Sequence, residues 1–451
     1  MDESNVFCLK KGKKFYSRSW SRDRGFLEDQ VLQLYRVAAG GYKAAIFSSG
    51  MNAIWTVMAS HLLPYAAEAS SIIVYGSELY CDVPRTVKLL CDMNPGRVEA
   101  EAVDVRDSNA LRRLFTRCGK NIRIFHFEAC TNPSGQMMDW DLIPELRRLA
   151  PQCKFVCDNT WLSGGSGFNP LLLGADLVVE SLTKHLSGGE CIGGMALGKE
   201  EVMKPVISYV VIMGLFIPAD RCRTFAKAVA RCRERVARTS QTALKVAQKL
   251  EADPRVGRVM FPLLPSHPTH SINVRVLESC TGPGSVWFFV PVQKQEAVKI
   301  LERREKAPLE YKTSFGGPNS SLDPWPKALP EHAYDMPQES SAAAGGGSRK
   351  GTWLRLSTGY CEAESVTLQA VDEMLEQLLG PAPAAVGVSQ SGDRKGITQT
   401  ATPAVQGSTS NSGGGVSTGA AASVGAESVH GGASQAQGSS RVPNQKVRRW
   451  G

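Results

Sequence analysis

The first half of this chain has a regular arrangement of apolar and polar residues. Up to about residue 245, short continuous apolar runs are separated by segments with helical apolar spacing. The runs predict buried strands, and they are Ser71–Tyr75, Ile122–His126, Val156–Cys157 and Leu177–Val179. Strands that are apolar on both faces and alternate with amphipathic helices are typical of a mostly parallel sheet. Residues 41–245 are therefore predicted to form a doubly wound α/β domain.

A smaller mixed α/β domain is predicted for residues 246–380. Strand-like and helical patterns occur there within 256–260, 284–290, 293–304, 353–357 and 363–379. Residues 1–40 are left as an N-terminal arm. From 381 to 451, glycine, serine and alanine dominate and no period persists. This composition favours a disordered tail, because so little apolar surface cannot offset the entropy of ordering the chain.

Two polar side chains follow predicted strands of the first domain. Asp158 comes directly after Val156–Cys157, and Lys184 comes shortly after Leu177–Val179. Open α/β sheets bind ligands at the carboxyl ends of their strands, so both side chains are expected to face one site. A lysine can form a Schiff base with pyridoxal phosphate, and a carboxylate can keep the pyridine nitrogen protonated. Each residue taken singly is more often an ordinary surface group.

A turn of small residues at Ser48–Asn52 precedes a helical pattern. Backbone N–H groups at such a helix start can bind a phosphate. The alternative is an ordinary helix cap, which is the better interpretation of this turn considered alone. Ser181 and Thr183 add two hydroxyl groups around Lys184.

Nine short motifs occur in a fixed order between residues 15 and 380. They are Tyr16–Ser19, Ser48–Met51, Tyr80, Glu128–Pro133, Cys157–Thr160, Gly174–Asp176, Ser181–Lys184, Ser314–Gly317 and Arg355–Gly359. In this order they resemble the pyridoxal-phosphate enzymes of cysteine and methionine metabolism. That family includes cystathionine synthases and lyases, methionine γ-lyase and homoserine sulfhydrylases. The resemblance implies a type I pyridoxal-phosphate transferase fold, with a mostly parallel seven-stranded sheet and a smaller C-terminal α/β domain.

The resemblance also implies a role for each matching residue. The two predicted catalytic residues are Lys184 and Tyr80. Lys184 would hold pyridoxal phosphate covalently and move protons during catalysis, and Tyr80 would stack on the ring. Asp158 would pair with the pyridinium nitrogen. A half-buried aromatic at a strand end is the alternative for Tyr80. The phosphate would be bound by Gly50, Met51, Ser181, Thr183 and, from a neighbouring subunit, Tyr16 and Arg18.

The substrate would be bound by a second group of residues. Arg355 would hold the α-carboxylate, with Asn132 and Ser314 beside it. The alternation at Trp353–Ser357 predicts a strand, on which a solvated arginine is the alternative interpretation. The implied assembly is a homodimer or homotetramer with shared active sites.

The chain departs from the family pattern at three places. His185, Gly189 and Cys191 replace the usual Tyr and His-x-Asp after the lysine. Asn319–Ser320 replaces a Glu-Ser pair, and the basic stretch Arg221–Arg238 lacks the usual Arg-Gly-Leu-x-Thr-Leu run. The first departure bears on activity and the second bears on substrate choice. No catalytic role is assigned to the third.

The expected activity is elimination or replacement at Cβ or Cγ of a sulfur-containing amino acid such as cystathionine, methionine or an activated homoserine. A lyase is slightly preferred over a cystathionine γ-synthase or a homoserine sulfhydrylase, which would share nearly all cofactor contacts. The rival hypothesis is a catalytically impaired member that acts as a partner or regulatory subunit. The departures at Gly189 and Cys191 motivate it. The four retained residues argue against it, and they are Lys184, Asp158, Tyr80 and Arg355.

Composition and charge exclude few classes of function. The formal net charge of +9 comes with short basic clusters, which are more often solvated ends than nucleic-acid sites, so no nucleic-acid partner is expected. The cysteines form no C-x-x-C pair, which predicts no metal site and a reduced protein. No apolar stretch reaches about 18 residues, so no membrane span is expected. The start Met1–Ser4 lacks signal-peptide features, and a cytoplasmic location is predicted.

Overall fold

A computed structural model describes residues 7–11, 13–37, 40–66, 70–278, 280–302, 308–325 and 351–382. The predicted disordered tail, 381–451, lies outside these residues apart from its first two positions. Among the helices of the described part, none is long and apolar enough to cross a membrane.

The described residues contain fourteen strands and eleven helices. The strands are β1 Phe7–Lys10, β2 Lys13–Tyr16, β3 Tyr42–Phe47, β4 Ser71–Gly76, β5 Val98–Val103, β6 Ile122–Glu128, β7 Lys154–Asp158, β8 Leu177–Ser181, β9 Gly194–Lys199, β10 Arg258–Met260, β11 Ser285–Val290, β12 Glu310–Tyr311, β13 Ser321–Trp325 and β14 Thr352–Ser357. The helices are α1 Arg22–Leu34, α2 Gly50–Ala66, α3 Asp82–Asp92, α4 Ser108–Cys118, α5 Ile143–Leu149, α6 Glu200–Met213, α7 Ala219–Val229, α8 Cys232–Ala252, α9 His270–Val276, α10 Lys294–Leu301 and α11 Glu364–Leu379.

Seven strands form the larger sheet, in the order β3-β9-β8-β7-β6-β4-β5. The pairs from β8 to β5 are parallel, and β9 runs antiparallel to both of its neighbours. The carboxyl ends of β3, β4, β6, β7 and β8 therefore lie along one edge. The mostly parallel seven-stranded sheet expected from the sequence is confirmed.

Helices cover both faces of this sheet, as its apolar strands require. On one face Val57 of α2 packs with Ile73 and Val156. On the other face Phe115 of α4 packs with Phe125 and Phe155, and the rings of Phe115 and Phe125 meet edge to face with centroids 5.4 Å apart. Because the core is formed from both faces, the strands are almost continuously apolar and polar groups collect at their ends.

The second sheet has five strands in the order β10-β11-β14-β13-β12. Its core is formed with α8, α10 and α11, where Leu354 and Leu356 of β14 lie among apolar residues of these helices. Helix α10 lies within the stretch 293–304 that the sequence assigns to this domain. Helix α8 runs through residue 245, where a domain boundary is predicted. The predicted domain boundaries remain predictions.

Candidate active site

A cavity of about 410 Å³ lies at the carboxyl edge of the seven-stranded sheet. Nine of the twelve predicted site residues line it, and they are Gly50, Met51, Tyr80, Asn132, Asp158, Ser181, Thr183, Lys184 and Arg355. Ser314 joins them, since its Oγ accepts a hydrogen bond of 3.0 Å from the Lys184 Nζ. Residues far apart in the sequence are thus brought together where five strands end.

Lys184 is held in the turn that follows β8. Its φ of −93° and ψ of −119° are not helical, and the turn projects the Nζ to within 5.1 Å of the Phe315 ring centroid. Burial, with smaller contributions from the cations of Arg355 and Lys312, lowers the pKa of Lys184 from 10.5 to about 8. The amine is therefore neutral, and hence nucleophilic, in a far larger fraction near neutral pH than that of an ordinary lysine.

Asp158 ends β7 directly opposite Glu128 at the end of β6. Burial raises the pKa of both carboxyl groups, and the nearby Asp158 charge raises that of Glu128 further. The backbone N–H of Thr160 donates to the Asp158 Oδ1 at 2.8 Å, which stabilises the ionised form of Asp158. The ionised form is the one that can pair with a protonated ring nitrogen.

Glu128 has a part in the site that sequence reasoning missed. Its Oε1 accepts from the backbone N–H of Tyr80 at 2.7 Å, and its Oε2 accepts from that of Asn132 at 2.9 Å. One buried carboxyl therefore holds the backbone of a proposed stacking residue and of a proposed substrate residue. Its position at the carboxyl end of a buried strand was the signal available in the sequence.

The N-terminus of α2 approaches the end of β8 very closely. A Cβ at Gly50 would lie 3.0 Å from the Ser181 Cβ, so a larger residue would force the helix start and the strand apart. The Ser49 Oγ accepts from the Asn52 N–H at 3.1 Å and caps the helix. The turn is thus a helix cap, as in the alternative interpretation, and it also presents the helix N-terminus to the cavity.

Two hydroxyl groups near this helix start have different surroundings. The Thr183 Oγ1 accepts from the Gly193 N–H at 3.2 Å, which ties the lysine turn to β9. Ser181 is held through its backbone N–H, which donates to the Thr160 Oγ1 at 2.8 Å. The Tyr80 ring is 40% exposed at the other side of the cavity, where a planar ligand ring can stack on it.

Arg355 lies at the inner end of the cavity on β14. Its side chain is 2% exposed, so the alternative of a solvated strand arginine is wrong. The Nη1 donates to the Asn132 Oδ1 at 3.0 Å, and the Nη2 donates to the Thr313 carbonyl oxygen. A guanidinium fixed in this way is suited to binding a carboxylate through its planar fork of donors.

The three replacements after the lysine lie in one loop. Gly189 has a φ of +80°, and a Cβ there would lie 3.0 Å from the Gly317 Cα, so a histidine at this position would be strained and would crowd Gly317. His185 is buried, and burial lowers its pKa to about 4, so its ring is neutral. The Ser187 Oγ accepts from the Cys191 N–H at 3.4 Å and closes the loop.

Arg235 gives part of the basic stretch 221–238 a structural role. Its Nη2 donates to the carbonyl oxygens of His185 at 2.9 Å and Leu186 at 3.1 Å, and its guanidinium lies 5.4 Å from the Tyr360 ring centroid. The Tyr360 hydroxyl donates to the Gly188 carbonyl at 3.3 Å. The turn after Lys184 is therefore held by its carbonyl groups.

Tyr16 and Arg18 are not among the residues that line this cavity. Both are exposed, and the Arg18 guanidinium lies 5.5 Å from the Tyr16 ring centroid. Arg24 holds the backbone here, since its Nη1 donates to the Ser17 carbonyl at 3.1 Å and its Nη2 donates to the Arg18 carbonyl at 3.4 Å. Their predicted contact with the cofactor of a neighbouring subunit remains a prediction.

The arrangement fits pyridoxal phosphate. The cavity has a nucleophilic lysine, a buried carboxylate, an exposed tyrosine ring and the N-terminus of a seventeen-residue helix. A Cβ at position 50 would crowd Ser181, so glycine suits this close approach of the helix start, where Gly50 and Met51 line the cavity. The volume of about 410 Å³ lies within the range of small-ligand sites.

Comparison with known proteins finds related enzymes of cysteine and methionine metabolism. Residues 2–369 match the family model described as "Cys/Met metabolism PLP-dependent enzyme". Cystathionine β-lyase MetC of Bacillus subtilis is 29% identical over 78% of this chain and 83% of its own length. Cystathionine γ-lyase of Mus musculus is 28% identical over 80% of this chain and 84% of its own length.

Solved structures support the fold. The chain is similar to cystathionine γ-synthase from Xanthomonas oryzae pv. oryzae, with a TM-score of 0.69 and 23% identity over 83% of this chain and 92% of the other. Cystathionine γ-lyase from Lactobacillus plantarum gives a TM-score of 0.67 at 22% identity, with the same shares covered.

Proposed function

Because this chain belongs to the pyridoxal-phosphate-dependent enzymes of cysteine and methionine metabolism, we propose that it is a lyase that eliminates the Cβ or Cγ substituent of a sulfur-containing amino acid. Its cofactor is pyridoxal phosphate. The observation that carries the proposal is the placement of Lys184 and Arg355 on one cavity, since a reactive amine and a carboxylate anchor are what an amino-acid substrate needs. Relatives named as β- and γ-lyases support elimination, and those named as a sulfhydrylase or γ-synthase make replacement the second candidate.

Different residues would bind the ring and the phosphate of the cofactor. Asp158 would pair with the ring nitrogen, and Tyr80 would stack on the ring. The phosphate would be bound by the N–H groups of Gly50 and Met51 with the hydroxyls of Ser181 and Thr183. When bound, the cofactor would withdraw electrons from the substrate's α-carbon and make its proton acidic.

The chain's own side chains then direct the reaction. Lys184, with its lowered pKa, accepts the α-proton and returns it to another atom of the substrate. Arg355 holds the α-carboxylate so that the α-carbon faces this amine, with Asn132 and Ser314 beside it. The rings of Trp161 and Phe315, each 5.7 Å from the Arg355 guanidinium, exclude water from this end. Tyr16 and Arg18 complete the phosphate site from a second subunit of a homo-oligomer.

The substrate test is product analysis on the purified protein supplied with pyridoxal phosphate. We expect cystathionine or methionine to yield ammonia, an oxo acid and a thiol without any added acceptor. A product that forms only from an activated homoserine, and only when cysteine or sulfide is added, would show a synthase or sulfhydrylase instead. No product from any of these substrates would favour the partner-subunit hypothesis.

The lowered pKa of Lys184 predicts how cofactor attachment depends on pH. Attachment needs the neutral amine, whose fraction for a pKa near 8 rises from about one tenth at pH 7 to about nine tenths at pH 9. The initial rate at which added pyridoxal phosphate develops its lysine-bound visible band should rise correspondingly, with a midpoint near pH 8. Burial and nearby cations disfavour the ammonium form, so the Lys312→Met variant, which removes one cation, should move the midpoint upward. A midpoint near 10 in the unmodified protein would contradict this account.

A further inference from the structure

Asp323 is a buried carboxylate on the cavity that the proposed reaction does not use. It lies on β13 directly opposite Arg355 on β14, and the side chains are 1% and 2% exposed. Both residues line the cavity, and the Asp323 Oδ2 lies 3.4 Å from the Arg355 Nη2. An anion thus lies beside the cation that is proposed to bind the substrate's α-carboxylate.

The contact between these two residues is long for a buried ion pair. Charge-assisted N–H···O bonds are usually about 2.7–2.9 Å long. The same Nη2 donates a shorter hydrogen bond to the Thr313 carbonyl oxygen. Asp323 therefore compensates the charge of Arg355 without being its closest acceptor, and a second carboxylate can approach the guanidinium only against repulsion from Asp323.

We propose that Asp323 is a specificity-determining counter-ion, which stabilises Arg355 in the free enzyme and weakens its hold on the α-carboxylate of an amino-acid ligand. This inference rests on the proposed carboxylate role of Arg355. A ligand with a carboxylate places two anions around one guanidinium, whereas a ligand without one leaves the pair undisturbed. The charge of Asp323 therefore acts on carboxylate ligands alone.

The same argument links stability to binding. Breaking a buried ion pair by removing one partner is destabilising, because it leaves an uncompensated charge. In the Asp323→Asn variant Arg355 loses the carboxylate that lies 3.4 Å from its Nη2, and a ligand carboxylate can take that place. The variant should unfold at a lower temperature than the unmodified protein. A carboxylate ligand should raise the thermal midpoint of the variant by more than it raises that of the unmodified protein.

The test compares L-alanine with L-alaninamide, which lacks the carboxylate, as ligands of the cofactor-loaded protein. Affinity is measured from the visible spectrum of the bound cofactor, and stability from the thermal midpoint. In the Asp323→Asn variant we expect L-alanine to bind about tenfold more tightly, since one repulsive charge close to the carboxylate is removed. The affinity for L-alaninamide should change by less than about twofold.

Asp176→Asn is the matched control, since it removes a carboxylate from an Arg147–Asp176 pair of 3.1 Å outside the cavity. It should lower the thermal midpoint without changing either affinity. If the Asp323→Asn substitution lowers the affinity for both ligands to a similar extent, Asp323 is a structural residue. The inference is then wrong, while the proposed function stands. If neither the unmodified protein nor the Asp323→Asn variant distinguishes L-alanine from L-alaninamide, the carboxylate role of Arg355 is wrong and the inference falls with it.

Discussion

The Lys184→Ala variant is expected to lose at least about 10⁴-fold in turnover, because one amine supplies both the covalent link to the cofactor and the proton transfers. The variant should bind pyridoxal phosphate without the visible band of the lysine-bound form. Borohydride should no longer fix the cofactor to the protein. The fold should persist, because burial already penalises the charged amine of Lys184. Turnover, absorbance and thermal midpoint are measured together on one preparation.

Lys204→Ala is the control for this substitution. Lys204 is exposed on α6, so its removal should leave turnover and absorbance unchanged. An active, yellow Lys184→Ala protein would remove the basis of the proposed mechanism. A variant that is inactive only because it unfolds would be recognised by its thermal midpoint.

The second large effect is expected at Arg18. This side chain is exposed and lies outside its own chain's cavity, although the resemblance assigns it to the cofactor phosphate. If it reaches the cavity of a second subunit, Arg18→Ala removes a charge-assisted contact, and cofactor affinity should fall by about a hundredfold. The measurement is retention of pyridoxal phosphate at limiting concentration. Arg113→Ala, which changes an exposed arginine on α4, should retain the cofactor normally.

A mixture of two inactive variants separates a shared site from a site within one chain. Arg18→Ala and Lys184→Ala chains are unfolded and refolded together at limiting cofactor. In a mixed dimer one site combines the intact Lys184 of one chain with the intact Arg18 of the other, so about a quarter of all sites should recover. If Arg18 serves its own chain, no site has both residues and activity stays at the level of the separate variants.

Much of the fold is predictable from the amino-acid sequence. Buried strands are recognisable because both of their faces are apolar, and β4, β6, β7 and β8 lie within a few residues of their predicted positions. Lys184 and Asp158 are recognisable because parallel strands bring their carboxyl ends to one edge, so order along the chain already implies proximity. The motif resemblance indicates Arg355 and Asn132, and the structure places them 3.0 Å apart through Nη1 and Oδ1.

Other features depend on contacts between segments that are distant in the sequence. Glu128 holds the backbone of Tyr80, 48 residues away, because β4 and β6 are neighbours in the sheet. Arg235 reaches the lysine turn from a helix 50 residues downstream. No local pattern encodes such partners, because a polar residue has the same appearance in the sequence whether its partner is water or a buried carbonyl.

Local sequence thus determined the elements, the edge at which they deliver polar groups, and the chemistry of the lysine and its carboxylate. Tertiary structure decided how strongly each group is charged and what it contacts. The pairing of β13 with β14 sets Asp323 opposite Arg355, and the lysine loop lies close to Gly317, 3.0 Å from where a Cβ at Gly189 would be. The physical reason is that electrostatic energy depends on distance and burial, which are fixed only when the strands are in register and the helices are packed.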